Sequence, residues 1–106
     1  MYSDYPEAAS NAAKRALKYK EENGSNCGTA VGWTRAKQLA SRESLSEDIV
    51  KRTYSFLSRS AQHKDVPYEE GCGGIMYDAW GGASMLAYTR QKVKEMEKEV
   101  EKERAR

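Results

Sequence analysis

The sequence is short of histidine, cysteine, proline and long hydrophobic runs, with one His, two Cys and two Pro in 106 residues. Each shortage excludes something. His63 stands alone, and no cysteine or histidine lies near another at ligand spacing, so the four-ligand set of a structural zinc site is missing. No apolar stretch approaches the roughly 20 residues that a membrane span needs. The opening Met1-Tyr2-Ser3-Asp4 has neither the basic nor the apolar region of a secretory signal, so the expected setting is a cytoplasm. β-Branched residues are few, and no run alternates apolar with polar, so no sheet is expected. A strong excess of either charge is absent too: 18 Lys and Arg face 16 Asp and Glu, for a net +2. That balance does not mark an obvious nucleic-acid binder.

The two cysteines stand in glycine-flanked loop sequence, Asn26-Cys27-Gly28 and Gly71-Cys72-Gly73. Such loops can be neighbours in a fold. In a cytosolic chain they read as reduced, small, partly buried residues, with a disulfide as the alternative.

What is present is helical periodicity. The first helix is expected over Pro6 to Asn23, with Asp4 as a candidate cap and Ala9, Ala12, Ala13, Ala16 and Leu17 on one narrow face. A second runs from Thr29 to about Arg42, with Thr29, Trp33, Ala36 and Ala40 on one face and Leu39 beside it. A third starts at Ser46, a good N-cap, with Leu45 and Val50 placed as a hydrophobic staple. Residues 62–73 read as a connection. A short helical turn follows over Gly74 to Trp80, and Gly81-Gly82 breaks it. A long helix then runs from about Ala83 to the end. The fold class is therefore all-α, a small bundle of four to five helices with a long projecting C-terminal helix. The domain reading is a helical domain over 1–90 and a charged helical extension over 91–106.

In that extension, Val93, Met96 and Val100 continue Leu86 and Thr89 as a short heptad seam. They are candidate interface residues. Tyr2, Tyr5 and Tyr68 join them, because tyrosine in terminal or loop sequence suits a protein interface. Trp33, Phe56 and Trp80 are expected in the core.

Catalytic signals are weak. A nucleophile wants a base within reach, most often histidine, and nothing local pairs His63 with Cys27 or Cys72. Gly71-Cys72-Gly73-Gly74 lacks the Lys-Ser/Thr of a phosphate loop, although free amides at Gly73-Gly74 suit an anion. No catalytic residue, cofactor or metal is assigned. The second and third helices have the outline of a helix-turn-helix, whose basic residues would be Arg35, Lys37, Arg42, Lys51, Arg52 and Arg59. Glu47 and Asp48 at the start of the reading helix would face phosphates unfavourably.

Three stretches carry a resemblance. They are Gly28-Thr29-Ala30-Val31-Gly32-Trp33-Thr34-Arg35-Ala36-Lys37-Gln38-Leu39-Ala40, then Leu45-Ser46-Glu47-Asp48-Ile49-Val50-Lys51-Arg52-Thr53-Tyr54-Ser55-Phe56-Leu57-Ser58-Arg59, then Gly74-Ile75-Met76-Tyr77-Asp78-Ala79-Trp80-Gly81-Gly82-Ala83. Together they resemble a small helical domain of tailed-phage and prophage proteins. That domain occurs alone or attached to head-assembly proteins such as prohead proteases. The match covers about residues 6–88 and departs at Ser60, where the family usually has His, and at Met76-Tyr77, where it usually has a tryptophan. The resemblance implies a non-enzymatic phage structural or capsid-assembly protein that works by protein–protein contact. Expected partners are other phage proteins or further copies of the chain; the basic faces of the second and third helices keep nucleic acid as the alternative, and neither a membrane nor a small-molecule substrate is expected from the residues. The implied location is the host bacterial cytoplasm during assembly, or the virion. Structural roles fall on Trp33, Ser46, Phe56, Trp80, Gly81 and Gly82. Trp80 before two glycines suits an indole under a tight turn between helices.

Overall fold

A computed structural model describes residues 1–105 of the chain. It is all-α. The helices are α1 (Glu7–Asn23), α2 (Ala30–Ala40), α3 (Glu47–Ser60), α4 (Gly73–Ala79) and α5 (Gly82–Arg104), with a 3-10 turn at Ala61–His63 after α3. Among the described residues the only β-type pairing is one bridge between Tyr2 and Leu45.

Local chemistry sets most of these boundaries. The Thr29 hydroxyl accepts from the Gly32 amide at 3.4 Å, and the Ser46 hydroxyl accepts from the Ile49 amide at 3.2 Å. Each satisfies one of the donors a helix start leaves free. Leu45 and Val50 are both fully buried around the Ser46 cap, as a staple requires. Asp4 does not cap α1. Pro6 occupies that position without a side-chain bond, and Asp4 instead accepts from the Tyr88 hydroxyl at 2.5 Å.

α1 is the central helix. Its buried face is Ala9, Ser10, Ala12, Ala13 and Ala16, side chains small enough for α2, α4 and the start of α5 to approach closely. α3 packs chiefly on α5 and runs antiparallel to it. Phe56 stacks on Trp80 at 4.4 Å just before α5 begins, while Glu47 and Lys51 border the same cleft as Val100 and Arg104. The core gathers Tyr5, Leu39, Leu45, Val50, Leu57, Ile75, Trp80 and Met85 between these layers.

The turn into α5 is built on Gly81 and Gly82, at φ +107° and +67°. A Cβ on Gly81 would lie 2.5 Å from the Met85 Cβ, so a side chain is excluded by space as well as by φ. The molecule measures 54 × 26 × 22 Å, elongated by α5. The boundary expected at residues 90 and 91 is not a packing boundary. α5 crosses it without a break, and Met96 beyond it is 6% exposed.

Candidate functional site

The seam read from the heptad lies where α3 and α5 diverge. Val93, Met96 and Val100 face Glu47 and Lys51 across a cleft of about 410 Å³, which Glu97, Glu101 and Arg104 also line. Met96 is buried and Val93 half-buried on this side, whereas Val100 is 50% exposed. α3 therefore covers the first part of the seam within the same chain. Only the part around Val100 stays open, because α5 outruns α3. The expectation that the whole seam serves a partner is corrected to its last turns.

The three tyrosines divide. Tyr5 is 1% exposed; its hydroxyl donates to the Glu43 carbonyl at 2.8 Å and its ring meets Tyr88 edge-on at 6.1 Å. It is a core residue and is corrected from the interface set. Tyr2 is half-buried and pairs through its backbone with Leu45. Tyr68 is half-buried; its hydroxyl donates to the Asp78 carboxylate and its ring packs edge-on against Tyr19. Burial, and then the bond to Asp78, push the Tyr68 phenol well above its ordinary range.

The six basic residues divide as well. Arg35 is 6% exposed, lies over the Trp80 ring at 5.5 Å and donates to the Gln38 side chain. Its Nε and the Trp80 Nε1 are buried without hydrogen-bond partners among the described residues. Burial, with the nearby Arg52 charge, draws the Arg35 pKa down. The contact with the indole face offsets part of that cost.

Arg42 is exposed and folds back over the N-terminal segment. Its guanidinium donates to the Tyr5 carbonyl at 2.7 Å and the Ser10 hydroxyl at 2.8 Å, with longer bonds to the Ser3 and Pro6 carbonyls. Arg35 is buried and is corrected from the nucleic-acid set, whereas Arg42 stays exposed while its guanidinium is engaged with the N-terminal segment. Arg52 pairs with Asp48 at 2.9 Å, and Arg59 donates to Ser55 at 2.9 Å, both on the exposed face of α3. Lys37 and Lys51 are exposed on different helices. α2 packs mainly on α1, and α3 mainly on α5, so neither has the other as its main neighbour. A helix-turn-helix reads DNA with helices that brace each other, and that bracing is not built here.

Of the residues given structural roles, Trp33 and Trp80 are each 8% exposed and Phe56 is half-buried. Gly73 and Gly74 are crowded on their side-chain side by the preceding segment. A Cβ on Gly74 would lie 2.1 Å from the Val66 carbonyl oxygen, and one on Gly73 2.7 Å from that of His63. The preceding segment already lies against them.

The largest difference from the sequence reading is at the cysteines. Cys27 and Cys72 are joined in a disulfide, with Cα atoms 5.4 Å apart across a sequence separation of 45. The reduced reading is corrected, and neither sulfur is a free nucleophile for His63. The matching glycine-flanked settings were the one signal for this pairing. The Arg42 clip had none, since its partners lie 32 to 39 residues upstream.

Among the described residues no group of three or more His, Cys, Asp or Glu side chains gathers, and no helix is long and apolar enough to cross a membrane. A second cleft, of about 420 Å³, lies between α1 and the α4–α5 turn, with Arg15, Lys64, Asp65, Asp78 and Ser84 on its wall. Comparison with protein-family models, with curated proteins and with solved structures finds no match for the chain.

Proposed function

We propose that this chain is a non-enzymatic structural or assembly protein of a tailed phage, acting by protein–protein contact through the C-terminal end of α5. The observation that carries the contact is the open end of the α3–α5 cleft. Val100 is half-exposed there between Glu97, Glu101 and Arg104, continuing a seam that α3 covers up to Met96. An apolar side chain rimmed by charges suits an interface with a second helix. The phage assignment is supported by the resemblance alone.

The proposed location is the host cytoplasm during assembly, or the virion. The disulfide separates the two settings, because a cytoplasm keeps thiols reduced and an oxidising exterior does not. The nucleic-acid reading has less support, since of its six basic residues Arg35 is buried, Arg42 is hydrogen-bonded to the N-terminal segment and Arg52 is paired with Asp48.

Light scattering on the purified chain, with and without added salt and duplex DNA, tests the proposal. A mass above that of one chain, insensitive to DNA and lost in Val100→Glu, is the expected result. A single-chain mass that rises only with DNA at low salt would overturn it in favour of nucleic-acid binding.

A further inference from the structure

We propose that the Cys27–Cys72 disulfide is a redox-operated latch, which a dithiol reductant opens to release the α1–α2 loop from Met76 and Trp33 while the helical bundle stays folded. The bond joins that loop, residues 24–29, to the residue just before α4. Cys72 is exposed and Cys27 half-buried, so a reductant reaches the Cys72 sulfur first.

Little else holds the loop. Its other residues are Gly24, Ser25, Asn26, Gly28 and Thr29, none of them apolar enough to anchor in a core. Apart from the helix-end bonds at Gly24 and Thr29 and the Ser25 hydroxyl accepting from the Cys27 amide, its ties are the Trp33 indole N–H donating to the Cys27 carbonyl at 2.9 Å, and the Gly28 backbone lying on the tip of Met76. A Cβ on Gly28 would come within 2.3 Å of the Met76 Cε, so the loop is a cover seated directly on that side chain. Gly24 and Gly28, both at φ +73°, bracket the segment and give it two points about which to swing. The residues that hold the bundle, such as Ala9, Ala13, Leu39, Val50, Leu57, Ile75 and Met85, all lie outside the loop.

The chemistry is thiol–disulfide exchange. A thiolate of the dithiol attacks the Cys72 sulfur, a mixed disulfide forms, and the bond to Cys27 breaks with Cys27 leaving as a thiolate. The second thiol of the reductant then attacks its own sulfur in the mixed disulfide and expels Cys72. The reductant ends as a disulfide, and its two electrons and two protons end on Cys27 and Cys72. An oxidised dithiol runs the sequence backwards. Opening uncovers Met76 and Trp33, each 8% exposed in the latched form.

The test compares the oxidised full-length chain, the same chain in dithiothreitol, and a Cys27→Ser, Cys72→Ser double variant. Far-ultraviolet circular dichroism reports the helices, and amide hydrogen exchange reports the loop. Reduction without denaturant, an unchanged helical signal, and exchange at residues 24–29 faster by about tenfold or more are expected, with reversal on reoxidation. The double variant should match the reduced chain whether or not reductant is present. Loss of the helical signal on reduction would make the bond a structural staple and overturn the latch. Unchanged protection of the loop in the reduced chain, or resistance to dithiothreitol without denaturant, would overturn it as well.

Discussion

Arg42 sits at φ +58° just past the end of α2, where the Glu43 amide donates to the Gln38 carbonyl at 2.9 Å and the Arg42 amide to the Leu39 carbonyl at 3.1 Å. This is the left-handed helix ending at which glycine is the usual residue. Arginine is held there because its guanidinium ties down the chain from Ser3 to Ser10 and covers the Tyr5 ring at 4.6 Å. The side chain and the backbone therefore pull in opposite directions, and two substitutions separate them. Arg42→Ala loses the clip and keeps the strain, with an expected cost of about 2–3 kcal/mol. Arg42→Gly loses the clip and relieves the strain, and should be less costly by about 1 kcal/mol. Urea denaturation of the two variants measures the order. At Arg35 burial dominates in another way: the cation keeps the indole face of Trp80 in place of a carboxylate.

At the scale of elements, α5 has two parts with different duties. From Gly82 to Met96 it is a wall of the core, since Met85, Thr89 and Met96 are buried along it. Beyond Glu97 it carries only Val100 as an apolar side chain, half-exposed. A chain cut after Glu97 should keep its melting temperature nearly unchanged and lose self-association. A chain cut after Gln91 removes Val93 and Met96 from α3 and should lose about 2–5 kcal/mol. Melts of the two truncations, with their solution masses, check this. The difference was not legible from the heptad, which repeats across both parts alike; the length of α3 decides where the seam is covered. Helix starts were legible because they depend on neighbours in sequence. Ser46 caps as its position implies and Gly81-Gly82 turns the chain as expected, whereas Thr29, expected on the apolar face of α2, is its exposed cap.

At the scale of the whole molecule, hydroxyl–carboxylate bonds tie elements together, one across 84 residues and one across 10. Tyr88 on α5 donates to Asp4, and Tyr68 donates to Asp78. Both phenols are pushed well above 10, first by burial and then by the carboxylate each is bonded to. The Tyr5 and Tyr77 phenols shift in the same direction, chiefly through burial. A phenol whose pKa is raised on folding adds stability that is present below its unfolded value and lost as pH rises toward the folded one. The melting temperature should therefore fall as pH climbs past 10, and the fall should be shallower in a Tyr68→Phe, Tyr88→Phe variant. Thermal melts from pH 8 upward, read beside tyrosinate absorbance, measure both.

The all-α class, a bundle of four to five helices, the Ser46 cap and the glycine turn were determined by the sequence itself, because each rests on residues within a turn or two of one another. Tertiary structure alone decided the rest. It paired Cys27 with Cys72, turned Arg42 back onto residues 3–10, buried Arg35 and Tyr5, and left Val100 as the open end of the seam. Each of these outcomes depends on which surfaces meet after the helices have formed. Periodicity records that a face is apolar or basic; only packing settles whether a neighbouring helix of the same chain already covers it.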